Sequence, residues 1–365
     1  MMDTYPIGWR KQDLDTPTLC LDADALERNI AKMAAFLADK PAGLRPHSKT
    51  HKCPTIAWKQ LRAGAIGITC AKVGEAEVMA QAGIHDILIA NQVIGAYKIA
   101  RLVNLARYSE VMVAVEDADN AQALSDAALA KEVRLRTVIE VDAGMGRCGV
   151  APGPEALALA QKMTTLPGLR FEGIMGYEGH AVTIPDMAER RRVAEEAMAR
   201  LIGVRDLLLE HGIPVQIVSA GGTGTYQITG CYPGVTELEC GSYATMDSKY
   251  RSVGLDFEQA LTVLTRVISA KGGDHAVIDA GLKTLTPEFG LPEVIHPAGW
   301  ALIRLSEEHG VLARQEGGAP LRRGDLVEIA PSHGCTTINL HDAYTVTRAD
   351  VVEAIWPIAA RGKVR

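Results

Sequence analysis

The chain has 365 residues, with 38 Lys+Arg against 44 Asp+Glu, a formal net charge of −6 and seven cysteines. That length exceeds what one hydrophobic core usually supports, so two domains are expected; the mild charge, without a long basic run, argues against a nucleic-acid partner. Residues 1–10 lack an apolar signal-like core, and no later stretch reaches the ~18 uninterrupted apolar residues of a membrane span, so a soluble, cytoplasmic protein without a membrane partner is expected.

Residues 16–22 read as a strand ahead of the main pattern. From Leu44 onward, β-rich apolar runs start near residues 44, 66, 86, 111, 134, 170, 214 and 235. Amphipathic stretches lie between them at 54–63, 75–82, 96–106, 120–130, 155–164 and 186–211. Eight strands with intervening helices predict an α/β fold, a (β/α)8 TIM-type barrel over residues 25–252. The last two connections are short and glycine-rich, which keeps a doubly wound sheet as the alternative. After about Leu255, strand-like runs at 260–270, 276–279, 301–305, 326–329 and 343–346 follow one another without helical spacers. They predict a C-terminal β domain over 253–365, joined by residues 1–24.

Barrel enzymes work at the carboxyl ends of their strands, so the polar residues there are the candidates. The first run ends in His47-Ser48-Lys49. A lysine at that position, desolvated and crowded by positive charge, has a lowered pKa and a free amine that attacks carbonyls, including an aldehyde cofactor. The plain alternative is a solvated loop lysine. The fifth run leads into Asp142-Ala143-Gly144-Met145-Gly146-Arg147, and the sixth into Gly176-Tyr177-Glu178-Gly179-His180. Arg147 and Tyr177 are either rim residues or contacts to a cofactor ring. The seventh run ends in Gly221-Gly222-Thr223-Gly224-Thr225, which is either a phosphate cup, with Thr223 and Thr225 adding hydroxyl donors, or an ordinary tight turn. The eighth leads into Cys240-Gly241-Ser242-Tyr243.

The last cluster is His333-Gly334-Cys335, followed by His341-Asp342. In an extended chain, His333 and Cys335 point to the same side, so an imidazole nitrogen and a thiolate can share one divalent metal. The alternative is a turn histidine beside a buried cysteine. The seven cysteines form no close-spaced pairs and suit reduced thiols.

These motifs resemble the metal-activated D-threonine aldolases, over about residue 15 to the carboxyl end. The segments that carry the likeness include Arg45-Pro46-His47-Ser48-Lys49-Thr50-His51-Lys52, Asp142 to Val150, Gly221 to Thr225, Glu239 to Asp247 and Ser332-His333-Gly334-Cys335. That family groups with the D-serine dehydratases and alanine racemase, whose barrels bind pyridoxal 5'-phosphate (PLP). The resemblance implies that Lys49 carries PLP as a Schiff base. It implies that Gly222, Thr223, Gly224, Gly241, Ser242 and Tyr243 hold the phosphate, and that Arg147 and Tyr177 lie around the ring. His333 and Cys335 would carry the metal (Zn, Mn, Mg or Co) within the β domain, and two chains would form a homodimer with a shared active site.

The implied reaction is retro-aldol cleavage of a D-β-hydroxy-α-amino acid to glycine and an aldehyde, with His180 as candidate base beside the catalytic Lys49. The alternative is a zinc-dependent dehydratase acting on D-serine or D-threo-3-hydroxyaspartate, giving a keto acid and ammonia. Three departures bear on the choice. The aldolases resembled here carry His-x-Asp where this chain has His333-Gly334-Cys335, the form found in the dehydratases, and thiolate favours zinc or cobalt over magnesium. They also carry a glutamine just after the position of Cys70, where Ala71 stands here. Their histidine beyond the tyrosine falls on Thr183, with His180 as the nearby substitute.

Overall fold

The computed structural model describes residues 6–271 and 273–365. Its internal contacts divide the chain into two units, one built from Lys32–Lys49, Ile56–Gly241 and Gly362–Arg365, the other from the remainder, including Thr50–Thr55 and Ser242–Arg361.

Strands are numbered along the chain from β1 (Thr18–Asp22). The first unit holds β2 (Gly43–Leu44), β3 (Ile68–Cys70), β4 (Asp86–Gln92), β5 (Glu110–Val115), β6 (Leu135–Glu140), β7 (Leu169–Met175), β8 (Ile217–Ala220) and β9 (Glu237–Leu238). Each starts within three residues of its predicted position. All pairings are parallel, in the order β2-β9-β8-β7-β6-β5-β4-β3. A parallel bridge between His47 and Thr69, with hydrogen bonds from Ile66 N to Leu44 O and Thr69 N to Pro46 O, joins the two end strands. The eight-stranded barrel predicted from the alternation is therefore the fold.

Helix α1 (Ala23–Leu37) follows β1 directly, capped by the Asp22 carboxylate, which accepts from Ala25 N; with no turn residues between strand and helix, the sequence pattern did not separate it. The crossover helices are α2 (Pro54–Arg62), α3 (Val73–Gln81), α4 (Ala96–Leu105), α5 (Ala118–Leu129), α6 (Pro154–Thr165) and α7 (Met187–Glu210). Their starts obey local chemistry: Asp117 caps α5, Asp186 caps α7 and Pro154 opens α6. Between β8 and β9 the chain makes only a 3-10 turn and the four-residue helix α8 (Tyr226–Thr229), as the glycine-rich sequence suggested.

Leu88, Met112, Ala114, Val138 and Met175 form a buried cluster on the sheet. At the amino-terminal side of the strands the filling is ionic. The Arg45 guanidinium donates to Glu237 at 3.0 Å and to Asp86 at 2.8 Å; Arg136 also reaches Asp86 at 3.0 Å and pairs with Glu172 at 2.8 Å. Gly67 leaves room for this arginine, because a Cβ there would collide with Arg45 Nη1.

The second unit contains α9 (Ser248–Ser252) and the strands β10 (Leu261–Ala270), β11 (His275–Ile278), β12 (Glu293–His296), β13 (Trp300–Leu305), β14 (Gly310–Arg314), β15 (Leu326–Ala330), β16 (Ala343–Arg348) and β17 (Val351–Pro357). Helix α10 (Gly334–Ile338) interrupts the run between β15 and β16. β1 lies inside this sheet, antiparallel to β10 and parallel to β16. β12, β14 and β17 were not foreseen. β12 buries none of its four residues and β17 only Val352, although the sequence of β17 is apolar apart from Glu353, so both lie away from the core.

Glu237→Ala leaves the Arg45 guanidinium, itself 3% exposed, short of its principal carboxylate. The expected cost is about 3 kcal/mol, seen as a lower urea midpoint with unchanged slope; an unmoved midpoint shows that the ionic layer does not hold the barrel.

Candidate active site

The carboxyl ends of the strands gather the first set of candidate residues. Lys49 is half-buried at the end of the β2 segment, and the backbone beneath it is tied down. Ser48 N and Oγ both donate to Thr69 O, at 2.7 and 3.0 Å, and Lys49 N approaches His47 Nδ1 at 3.4 Å. The Lys49 Nζ lies 5.7 Å from the centroid of the Tyr177 ring, and the Arg147 guanidinium carbon lies 5.7 Å from the same centroid. Arg147 also reaches Glu140 at 3.7 Å. A lysine and an arginine from two strand ends therefore flank the ring of a tyrosine from a third.

The loop that carries Arg147 is shaped by Asp142, whose Oδ1 accepts from Gly144 N at 2.9 Å and Gly146 N at 3.0 Å. Those bonds, Gly146 first, hold the Asp142 carboxyl below its usual range. His180 is exposed; a Cβ on Gly144 would come within 3.7 Å of its ring, so it borders this loop.

Gly221 takes a left-handed φ of +88°, and Cβ atoms at Gly222 or Gly224 would press on the Tyr177 ring or the Val182 carbonyl oxygen. Glycine is required at Gly224, where a Cβ would overlap a backbone oxygen, whereas at Gly222 a Cβ would be tight against side chains. One expectation fails here: the Thr225 hydroxyl donates to Glu178 Oε1 at 2.6 Å, so it is committed inside the protein rather than to an anion.

Two buried carboxyls sit in this unit without having been singled out from sequence. Glu140 is raised above the usual carboxyl range by burial. Glu239 is ringed by protein, though part of its surface is open; it accepts from Ser219 Oγ at 2.8 Å. Burial pushes it up to about 7, against a smaller opposing pull from Ser219 and Lys49. Two glutamates, Glu237 and Glu239, alternating within the strand-like segment 235–240 were the available signal.

The second set lies in the other unit. His333 is the extended N-cap residue of α10 and Cys335 stands in its first turn. The two were expected to share a side because the chain is extended; instead a helix start brings them together, and the imidazole hydrogen-bonds the cysteine. His333 Nδ1 lies 3.1 Å from Asp247 Oδ2, which also accepts Gly334 N at 3.1 Å, while the other Asp247 oxygen takes Tyr250 N at 3.0 Å. Burial opposes the imidazolium, but the charges of Cys335 and Asp247 outweigh it and raise His333 to about 11. Cys335 Sγ lies 3.2 Å from Thr50 Oγ1 and 3.9 Å from Ser242 Oγ, and Phe289 packs on the imidazole at 4.4 Å between centroids.

Imidazole and thiol suit a soft divalent ion, and an Nδ1 engaged by a carboxylate leaves Nε2 as the donor, the usual arrangement around ligating histidines. Among the described residues no group of three or more His, Cys, Asp or Glu is placed to hold a metal. His341 is turned elsewhere, with Nε2 2.9 Å from Thr284 O. Gly241, Ser242 and Tyr243 are buried, and the Tyr243 ring packs on Phe257 at 5.6 Å.

Residues 21–249 match the family model described as alanine racemase, N-terminal domain, and residues 260–347 match the putative serine dehydratase domain. The chain is 40% identical over 353 residues to a D-threonine aldolase of an Arthrobacter species, covering 96% of this chain and 93% of that protein. The chain belongs to the D-threonine aldolase and D-serine dehydratase-like family of lyases. The crystal structure of D-threonine aldolase from Filomicrobium marinum superposes with a TM-score of 0.96 at 37% identity, covering 98% of this chain and 99% of that one. D-threo-3-hydroxyaspartate dehydratase from Delftia sp. gives a TM-score of 0.89 at 29% identity, covering 95% and 98%. That dehydratase has also been solved as a histidine-to-alanine mutant and, two positions further on, as a cysteine-to-alanine mutant in the metal-free form. Family membership implies PLP. No helix among the described residues is long and apolar enough to cross a membrane.

Glu239 gives this site a pH signature. Its unfolded carboxyl titrates near 4.5 and its folded one near 7, so between these values the folded state holds the extra proton and stability falls as pH rises. Glu239→Gln removes that loss. Relative to wild type, the variant is expected to gain about 2 kcal/mol between pH 5 and pH 8, measured by urea unfolding at each pH; a constant difference refutes the assignment.

Proposed function

We propose that this chain is a PLP- and divalent-metal-dependent lyase that cleaves D-β-hydroxy-α-amino acids between Cα and Cβ, releasing glycine and an aldehyde. The observation that carries the proposal is the flanking of the Tyr177 ring by Lys49 and Arg147 beside a glycine cup, in a chain 40% identical to a D-threonine aldolase.

When bound, PLP supplies a conjugated ring that takes up the electron pair freed at Cα. Lys49 would hold the cofactor aldehyde through its amine and, when that amine is free and protonated, would return a proton to Cα to complete glycine. Arg147 and Tyr177 would lie around the ring. The Gly222-Thr223-Gly224 cup, with Gly241, Ser242 and Tyr243, holds the phosphate. His333 and Cys335 would hold the metal, which would supply Lewis acidity toward the β-hydroxyl. His180, on the loop after Tyr177, accepts the hydroxyl proton. Solution as a homodimer, with a site shared between chains, belongs to the same proposal, as does a cytoplasmic location.

A second reading is dehydration of the same class of substrate, favoured by the histidine and cysteine two positions apart, as in the Delftia dehydratase. Purified holoprotein given D-threonine is expected to form aldehyde and glycine; pyruvate and ammonia from D-serine, without aldehyde from D-threonine, reverses the order. Lys49→Ala is expected to abolish the visible absorption band and lower turnover by roughly 10³-fold or more. A band that survives, or borohydride labelling of another lysine, rejects Lys49. Cys335→Ala is expected to lose bound metal, measured by atomic emission, while retaining the absorption band; full metal occupancy in that variant removes the thiolate from the site.

A further inference from the structure

We infer that Glu178 and Arg190 are positioning residues for the cofactor phosphate, clamping the Gly221–Thr225 loop from behind; the inference rests on the PLP reading above. A loop with three glycines among five residues is intrinsically loose, and a loose loop loses much of its affinity in being ordered. An anion also needs the lone pairs of carbonyl and hydroxyl oxygens turned out of its way. Both needs are met by two charged side chains that are fully buried.

Glu178 directly follows Tyr177 at the end of β7. Its Oε2 accepts Gly221 N at 3.2 Å, and its Oε1 accepts the hydroxyls of Thr225 at 2.6 Å and Thr229 at 2.5 Å. Three donors on one carboxylate suit an acceptor-only, charge-assisted hub. Thr225 Oγ1 in turn takes Gly222 N at 3.3 Å, so the first two glycines of the loop are held directly or through one hydroxyl.

From α7, Arg190 Nη1 donates to Gly224 O at 3.2 Å, while Nε donates to Ile184 O at 2.7 Å and Nη2 reaches Pro185 O at 3.4 Å. The guanidinium thus draws the Gly224 carbonyl oxygen toward itself. It also binds that loop to the segment 182–185, against whose Val182 carbonyl Gly224 packs without room for a Cβ. A carboxylate alone behind a dianion would oppose binding; a buried guanidinium on the same five-residue loop offsets it.

The test compares PLP with pyridoxal, which lacks the phosphate, in absorbance titrations of the apoprotein. Wild type is expected to prefer PLP. Glu178→Asp keeps the charge but cannot span all three donors, and Arg190→Lys keeps the charge but loses the planar fork. Each is expected to weaken PLP binding by about 10-fold or more, with pyridoxal affinity changed by less than about 2-fold. Because either variant can fail to fold, Thr229→Val, which removes one donor outside the loop, serves as the mild case, with PLP weakened about 3- to 10-fold. A folded variant with the wild-type PLP-to-pyridoxal ratio, or with both ligands weakened equally, overturns the positioning role. A wild-type protein that shows no preference for PLP overturns the cofactor-phosphate reading itself.

Discussion

Everything in the barrel unit depends on eight short parallel strands keeping their register, because the side chains that matter project from strand ends rather than from strand middles. β2 and β9 are two residues long, too short for backbone pairing to hold them alone. The ionic layer of Arg45, Glu237, Asp86, Arg136 and Glu172 supplies what the pairing lacks, since a slipped strand would leave a guanidinium or carboxylate buried without its partner. Arg45 carries particular weight. Three residues separate it from Lys49, so the charge that fixes the amino-terminal side of the first strand also sets where the lysine emerges.

The opposite ends carry a different balance of charge. Glu140 and Glu239 are both pushed toward the neutral acid by burial, while Lys49 and Arg147 flank a single tyrosine ring. Carboxyls that resist ionisation beside an amine do not lock it in a fixed salt bridge, which would suit Lys49 in the role proposed for it. Such an arrangement is costly for folding, and the sign of the Glu239 titration is that cost made visible as pH rises.

The amount legible in the sequence differs between the two units for a physical reason. Parallel strands buried on both faces read as continuous apolar runs, and all eight were found close to their observed starts. Strands β12, β14 and β17 bury no more than two residues each, and their apolar stretches, Val311-Leu312-Ala313 and Ala354-Ile355-Trp356 among them, are too short to stand out. Among site residues, Lys49, Arg147, Tyr177, His333 and Cys335 stood out because their types are chemically unusual at loop ends. Glu178, Glu239 and Asp247 did not, since a carboxylate that serves by accepting hydrogen bonds has no motif of its own. The pairing of His333 with Cys335 was anticipated for the wrong reason: residues two apart meet in a strand, but here the first is a helix cap and the second lies within the helix.

The two reactions open to this family differ in which proton leaves, not in the groups that hold the substrate. Cleavage between Cα and Cβ requires loss of the hydroxyl proton, whereas elimination requires loss of the Cα proton and departure of the hydroxyl. On the proposed reading a thiolate ligand in place of a carboxylate would tune the metal, but a metal that polarises the oxygen would assist both outcomes. The branch is therefore set by which base stands nearer its proton: the lysine amine at Cα, or an acceptor at the hydroxyl such as His180. That histidine sits on the loop after Tyr177 and borders Gly144, in the loop that bears Arg147. Selectivity between an aldolase and a dehydratase is thus expected to reside in the two loops after β6 and β7 more than in the imidazole–thiol pair that most visibly separates the two branches in sequence.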